Sequence, residues 1–301
     1  MKVYVVGSSN TDMVVKTPTL PRPGETIIGG NFLMNPGGKG ANQAVAAARM
    51  AGKVVFIGCV GDDQFGKNTL KQLAEENIDT SNVIIDKSTP SGVALITVDN
   101  NGENCIAVAG GANNNLSPYH LDTPLFDLTA DDILLTQLES PLKTVQKAIE
   151  LAFQSHTKTI LNPAPAQILP DTIYPLLFAI TPNETEAEVL TGIAISDESS
   201  AHLAAENLYK KGCSNVVITL GSKGAYLYSE DFKGIISSQK TEAIDSTAAG
   251  DCFNGALAVA IGEGKSLVDA IEFANKAAAI SVTRMGAQSS IPRRNEEPSL
   301  N

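Results

Sequence analysis

The stretch Asp245-Ser246-Thr247-Ala248-Ala249-Gly250-Asp251 runs directly into Cys252-Phe253-Asn254-Gly255-Ala256-Leu257-Ala258-Val259-Ala260-Ile261. Apolar residues at 253, 257, 260 and 261 have the spacing of one buried helical face, so a helix begins at about Gly250 and Asp251. The first-turn N–H groups of a helix lack intrahelical acceptors and carry partial positive charge, which suits an anion. Ala248, Ala249 and Gly250 are small enough for a phosphate to come close. Asp251 at that place has two readings: a carboxylate that caps the helix, or a base beside a transferring phosphoryl group.

Outward from this stretch the chain alternates between short apolar runs and helical periodicity. Val3–Val6, Val54–Ile57, Ile133–Thr136, Lys158–Leu161, Phe178–Thr181 and Val216–Thr219 read as buried strands. Such strands, joined by helices, predict an α/β fold: a mostly parallel central sheet with helices on both faces and right-handed crossovers. Ligands of such sheets gather at the carboxyl ends of the strands, where this chain puts Asn10 and Asp12 in a polar loop, and Glu139 and Asn183. Ordinary turn chemistry explains the same Asn and Asp residues, and the helix dipole explains Glu184 and Glu186. Gly37-Gly38-Lys39-Gly40 opens a helix that reaches about Ala51, with Gly52 as its stop. Gly92–Val98 and Asn104–Ala109 flank an Asn-Gly turn, a hairpin that residues 25–29 could join as a small separate sheet. Gly61–Asn68 imitates a phosphate-binding P-loop, but Asn68 replaces the magnesium-binding hydroxyl and Asp62 and Asp63 would repel phosphates. Leu267 to Val282 traces a second buried helix, and the tail from Ile291 reads as loose at its end. No linker divides the 301 residues, which read as a single domain.

The formal net charge of -11 argues against nucleic acid or an anionic membrane as partner, since both demand clustered Lys and Arg. Four scattered cysteines suggest neither a zinc site nor a disulfide framework, and three isolated histidines argue against histidine chemistry. The opening residues lack a signal-peptide pattern and no apolar run approaches a membrane span, so the cytoplasm is the expected compartment.

Several motifs occur together in order: Asn10-x-Asp12, Leu20-Pro21-x-Pro23-Gly24-Glu25-Thr26, Gly37-Gly38-Lys39-Gly40-Ala41-Asn42-Gln43-Ala44, Asn162-Pro163-Ala164-Pro165-Ala166, Asn183-x-x-Glu186, Thr219-Leu220-Gly221-Ser222-x-Gly224, and 245–251. In this combination the chain resembles the ribokinase-like (PfkB) family of carbohydrate kinases over nearly its whole length. The resemblance implies transfer of the ATP γ-phosphoryl group to a sugar's primary hydroxyl, the 5-hydroxyl of D-ribose first, with 2-deoxyribose, fructose or a nucleoside as alternatives. Asp251 would take the hydroxyl proton, and Ala248, Ala249 and Gly250 would hold the phosphoryl oxygens. Asn10, Asp12, Gly38, Lys39, Asn42 and Glu139 would read the sugar. ATP would lie along Asn183, Thr219, Leu220, Gly221, Ser222, Lys223, Gly224, Gly250, Asp251 and Asn275, with Glu186 organising Mg2+ through water. A monovalent cation, K+, would sit at Asp245, Thr247, Ser281, Arg284, Gly286 and Ser290, mostly through backbone carbonyls. Ser246 departs from the family's more frequent Thr but keeps the hydroxyl. Residues of about 13–35 and 90–109 resemble the family's β-lid, which implies a homodimer through paired lids. A sugar-sensing protein without catalysis would lack the base or the anion hole, whereas Asp251 and Gly250 are both present.

Overall fold

In a computed structural model that describes residues 1–297 and 300, the first two-thirds of the chain runs through β1 (Val3–Val6), β2 (Asn10–Lys16), β3 (Phe32–Gly37), α1 (Lys39–Arg49), β4 (Val54–Ile57), β5 (Cys59–Gly61), α2 (Gln64–Glu75), β6 (Ile84–Asp86), β7 (Gly92–Val98), β8 (Asn104–Ala109), β9 (Ile133–Thr136), α3 (Leu142–Gln154), β10 (Lys158–Leu161), β11 (Ala179–Ile180), α4 (Glu184–Thr191) and α5 (Glu198–Lys210). It continues through β12 (Val216–Thr219), β13 (Ala225–Tyr228), β14 (Lys233–Ile236), α6 (Ala249–Gly262) and α7 (Leu267–Ser281). The main sheet has the order β14-β13-β12-β11-β10-β9-β1-β4, parallel from β4 to β12 and antiparallel at the β13 and β14 edge. Side chains alternate across it as strand geometry requires. Val3, Val5 and Phe56 enter the core layer shared with α1, α6 and α7, while Tyr4, Val6 and Ile57 enter the opposite layer with α3.

The expected single buried face of α6 is an underestimate: every residue from Asp251 to Ile261 is buried. The helix packs against both α1 and α7 as well as the sheet, so no side faces solvent. Gly255 makes the α1 contact possible, since a Cβ there would lie 2.5 Å from Ala46 Cβ and 2.7 Å from the Gln43 carbonyl oxygen. The left-handed residue ending α1 is Ala51 (φ 71°), not the expected Gly52. Gly52 is required for space, because a Cβ there would come 2.8 Å from Val259 Cγ2.

A second sheet has the order β3-β2-β7-β8. Asn10 and Asp12 therefore stand on a strand rather than in the expected loop, because Asn10–Lys16 pairs on both sides, antiparallel with β3 and parallel with β7. Residues 25–29 carry no strand; the edge position belongs to β3. The hairpin of β7 and β8 is as expected. Phe32, Met34 and Leu95 are exposed on one face of this sheet, and Leu33, Ile106 and Val108 on the other.

The described part of the tail is anchored, contrary to the expectation of a loose end. Ile291 is buried, Arg49 donates to the carbonyls of Gln288 and Ile291 at 2.5 and 2.8 Å, and Arg49 and Arg293 both bind Glu76, at 2.6 and 2.9 Å. Residues 298, 299 and 301, the remainder of that expectation, lie outside the described residues. Burial works against the Glu76 charge, but Arg49 and Arg293 outweigh it and hold the carboxyl below its ordinary value. Breaking a fully buried ion pair costs about 3–5 kcal/mol, and partial exposure of these groups reduces that to about 2 kcal/mol. Glu76→Ala is expected to lower stability by about that amount in a denaturant melt at neutral pH. Because the native carboxyl titrates below its unfolded value, the difference between the two proteins should shrink as pH falls through that value. Identical melts at neutral pH would contradict the anchor.

Candidate active site

The starts of α1 and α6 meet beside the carboxyl ends of β1, β9 and β10, so residues distant in sequence converge there. Ala248 precedes α6 in the left-handed region (φ 59°, ψ 15°), a conformation that costs a non-glycine residue about 1–2 kcal/mol and turns the chain sharply into the helix. Of the three expected anion-holding N–H groups, that of Ala249 donates to Ser246 O at 3.2 Å. Gly250 is exposed at the helix start, and a Cβ built on it meets nothing within 4 Å.

Asp251 is buried and accepts from Asn42 Nδ2 at Oδ2 and from Gln43 Nε2 at Oδ1, both at 2.9 Å. Burial pushes its carboxyl above the ordinary value, against the pull of Lys39 and of these two amides. Burial would lower the Lys39 ammonium, but Asp251, Glu139, Glu186 and Asp12 outweigh it and raise its pKa. Burial, then Glu139 and Asp251, push Asp12 up to about 6. Glu139 Oε2 accepts from Ser8 Oγ at 2.6 Å and from the Lys39 backbone N–H at 2.9 Å, tying β1 to the start of α1. Gly38 (φ 88°) caps α1, where a Cβ would strike the Asn10 backbone N at 2.6 Å. Asn10 Oδ1 accepts from Asn113 Nδ2 at 2.9 Å. The six residues expected to read a sugar thus gather in one polar cluster beside Asp251.

On the other side of the α6 start lies a cavity of about 370 Å³. Asn183, Thr219, Gly221, Ser222, Gly224, Gly250 and Asn275 line it, as expected for a nucleotide. Leu220 instead packs into the core, and Lys223 is exposed and stands outside the lining. Ser238, Thr241, Phe253 and Val282 also line it and escaped the sequence reading; the loop after β14 carries no pattern that marks it. Asn183 and Glu186 cap α4 reciprocally, at 2.7 and 2.9 Å, and burial raises the Glu186 carboxyl. A larger cavity of about 650 Å³ lies around Cys213–Asn215 and Glu230–Phe232 and contains none of these residues.

The residues expected at a monovalent cation share one corner. Asp245 Oδ1 accepts from the Thr247 N–H and Oγ1, its Oδ2 accepts from Gly286 N–H, and Ser281 and Ser290 turn their hydroxyls to the carbonyls of Ala278 and Ala287. Arg284 pairs with Glu297. The side chains of this corner are engaged in shaping its loops, which leaves backbone carbonyls as the groups a cation there would use. Among the described residues, no cluster of three or more His, Cys, Asp or Glu side chains is arranged to hold a metal.

The model of the pfkB family of carbohydrate kinases matches residues 1–294. The chain belongs to this family. Among the similar proteins, the one named Ribokinase from Haemophilus influenzae is 48% identical over 97% of this chain and 95% of its own length. The Deoxyribokinase of Salmonella typhi is 39% identical over the full length of both chains. The crystal structure of Arabidopsis thaliana ribokinase complexed with ribose and ATP superposes with a TM-score of 0.91 at 31% identity, covering 99% of this chain and 98% of that one. The chain thus shares the fold of that ribokinase.

The open space around Gly250 separates folding from function at that position. Gly250→Ala is expected to keep or raise the melting temperature, since Ala favours a helix by about 1 kcal/mol over Gly. The same methyl group would stand where a phosphoryl oxygen approaches, so kcat should fall at least about tenfold. A variant with unchanged kcat would contradict an anion site at this helix start.

Proposed function

We propose that the protein is an ATP-dependent ribokinase that transfers the γ-phosphoryl group to the 5-hydroxyl of D-ribose, giving D-ribose 5-phosphate and ADP. The observation that carries this reading is the position of Asp251: buried at the start of α6, beside the polar cluster of Asp12, Lys39 and Glu139, and next in the chain to Ala249 and Gly250, which line the 370 Å³ cavity. The names of the relatives and the ribose and ATP complex of the Arabidopsis protein support it.

Asn10, Asp12, Gly38, Lys39, Asn42 and Glu139 bind the sugar hydroxyls, and Asp251 accepts the proton of the primary hydroxyl as its oxygen attacks. The N–H groups of Ala248 and Gly250, joined by that of Ala249 where it turns from Ser246 O, hold the phosphoryl oxygens while charge moves from the attacking to the leaving side. Their alignment with the α6 dipole adds positive potential. Glu186 would hold Mg2+ through water, and the ion would supply neutralisation of phosphate charge. The corner of Asp245, Thr247, Ser281, Arg284, Gly286 and Ser290 would hold K+, which would supply positive charge beside the anion site. The small sheet acts as a lid that excludes water, and the exposed face that carries Leu33, Ile106 and Val108 pairs with that of a second copy. The whole chain works as one catalytic domain with this lid, in the cytoplasm.

Release of ADP measured over ribose, 2-deoxyribose, fructose and nucleosides, with and without K+, tests the reading. The highest kcat/KM is expected for ribose, with stimulation by K+. Preference for 2-deoxyribose would move the function to the activity named for the Salmonella relative, and Asn10 is the residue whose amide a 2-hydroxyl would use. In sedimentation at micromolar concentration a dimer is expected, and Val108→Glu should yield a monomer; an active wild-type monomer would refute lid pairing.

A further inference from the structure

An ionised carboxylate only accepts hydrogen bonds, and that fixes the orientation of every amide around Asp251. Asn42 and Gln43 turn their Nδ2 and Nε2 groups inward to Asp251, at 2.9 Å each. Their carbonyl oxygens therefore face away and need donors. Gln288 Nε2 donates to Asn42 Oδ1 at 3.1 Å, and Gln137 Nε2 donates to Gln43 Oε1 at 2.6 Å. Gln43 Nε2 also meets Asn162 Oδ1 at 3.0 Å, while Asn162 Nδ2 donates to Thr181 O at 3.1 Å. All five amides are buried. The relay ends at Gln137 Oε1, which is buried without a partner. Turning Gln137 over would bring oxygen against oxygen at Gln43, so the orphaned acceptor follows from the direction of the relay.

We propose that Gln43 and Asn42, backed by Gln137 and Gln288, are positioning residues that hold Asp251 ionised and aim its remaining lone pairs at the sugar hydroxyl. This rests on the reading of Asp251 as the base. As the hydroxyl oxygen bonds to the γ-phosphorus and the bond to ADP breaks, the proton passes to an Asp251 oxygen that the cradle leaves accessible. Lys39 also favours the ionised carboxylate, while Asp12, Glu139 and Glu186 stand near enough to oppose it. The amides counter that opposition without adding charge, which distinguishes them from a second lysine.

The test compares Gln43→Leu and Gln288→Ala with the wild type, reading kcat and the ribose KM across the acidic and neutral range. Removing a donor from the ionised form raises the pKa of Asp251, so the acid limb of kcat should move to higher pH, by about one unit in Gln43→Leu and by less in Gln288→Ala. At neutral pH kcat should fall about tenfold to a hundredfold in Gln43→Leu, with the ribose KM within about threefold of wild type. Gln288→Ala keeps the backbone carbonyl that Arg49 holds, so it decides the question by the same shift if Gln43→Leu does not fold. An unmoved acid limb, or a loss confined to KM, overturns the proposal. Asp251→Asn, assayed alongside, separates the two readings: if it stays active the base assignment fails, whereas an inactive Asp251→Asn with an unmoved acid limb in the amide variants sinks the positioning role alone.

Discussion

A carboxylate buried at a helix start has to be held by donors or give up its charge. Asp251 meets that demand through α1, and the meeting of α1 with α6 is a packing problem before it is a chemical one. Gly255 and Ala46 let the two helices approach until Asn42 and Gln43 come within hydrogen-bond reach of Asp251. The apolar contact and the polar cradle are one interface, so a residue that widens the helix spacing would loosen the base as well as the core. Asn162 and Thr181 continue the hydrogen bonds to the ends of β10 and β11, and Asn254 of α6 closes the ring through Thr181 Oγ1 at 2.6 Å and Gly250 O at 2.8 Å.

In the proposed function the same helix start divides two ligand spaces. Polar and charged groups from the loop after β1, from β2 and α1, and from the loop after β9 form the side proposed for the sugar, where burial first, and then Glu139 and Asp251, raise Asp12 to about 6 and Lys39 opposes the rise. The nucleotide side is built from the turns after β11 and β12 and from α7, and its wall is less charged. Backbone conformation serves both. Ala248 and Gly38 occupy left-handed positions at the starts of α6 and α1, which brings main chain rather than side chain to the ligands.

Much of this was legible from local pattern. Strands such as Val3–Val6 and Val216–Thr219 are short apolar runs, the hairpin tip is an Asn-Gly turn, and the α6 start follows from three small residues before an apolar helix. What escaped depends on distant partners. Asn10 and Asp12 look like turn residues until strands 32–37 and 92–98 pair with them on either side. Gln137 and Gln288 carry no local signal, because their partners lie 94 and 246 residues away. The tail reads as polar and Pro-rich, yet Glu76 anchors it through Arg293, and Arg49 through backbone carbonyls. Ala51 in the left-handed region is a choice that tertiary packing of Gly52 against Val259 makes.

The central claim is that Asp251 acts on the proton of the sugar and not on the binding of either ligand. Rapid-quench measurement of a single phosphoryl transfer in Asp251→Asn, with calorimetric binding of ribose and ATP on the same protein, tests it most directly. The account predicts binding within a few-fold of wild type and a transfer rate lower by about a hundredfold or more. Transfer within tenfold of wild type, or a loss traced wholly to weaker binding, would contradict it.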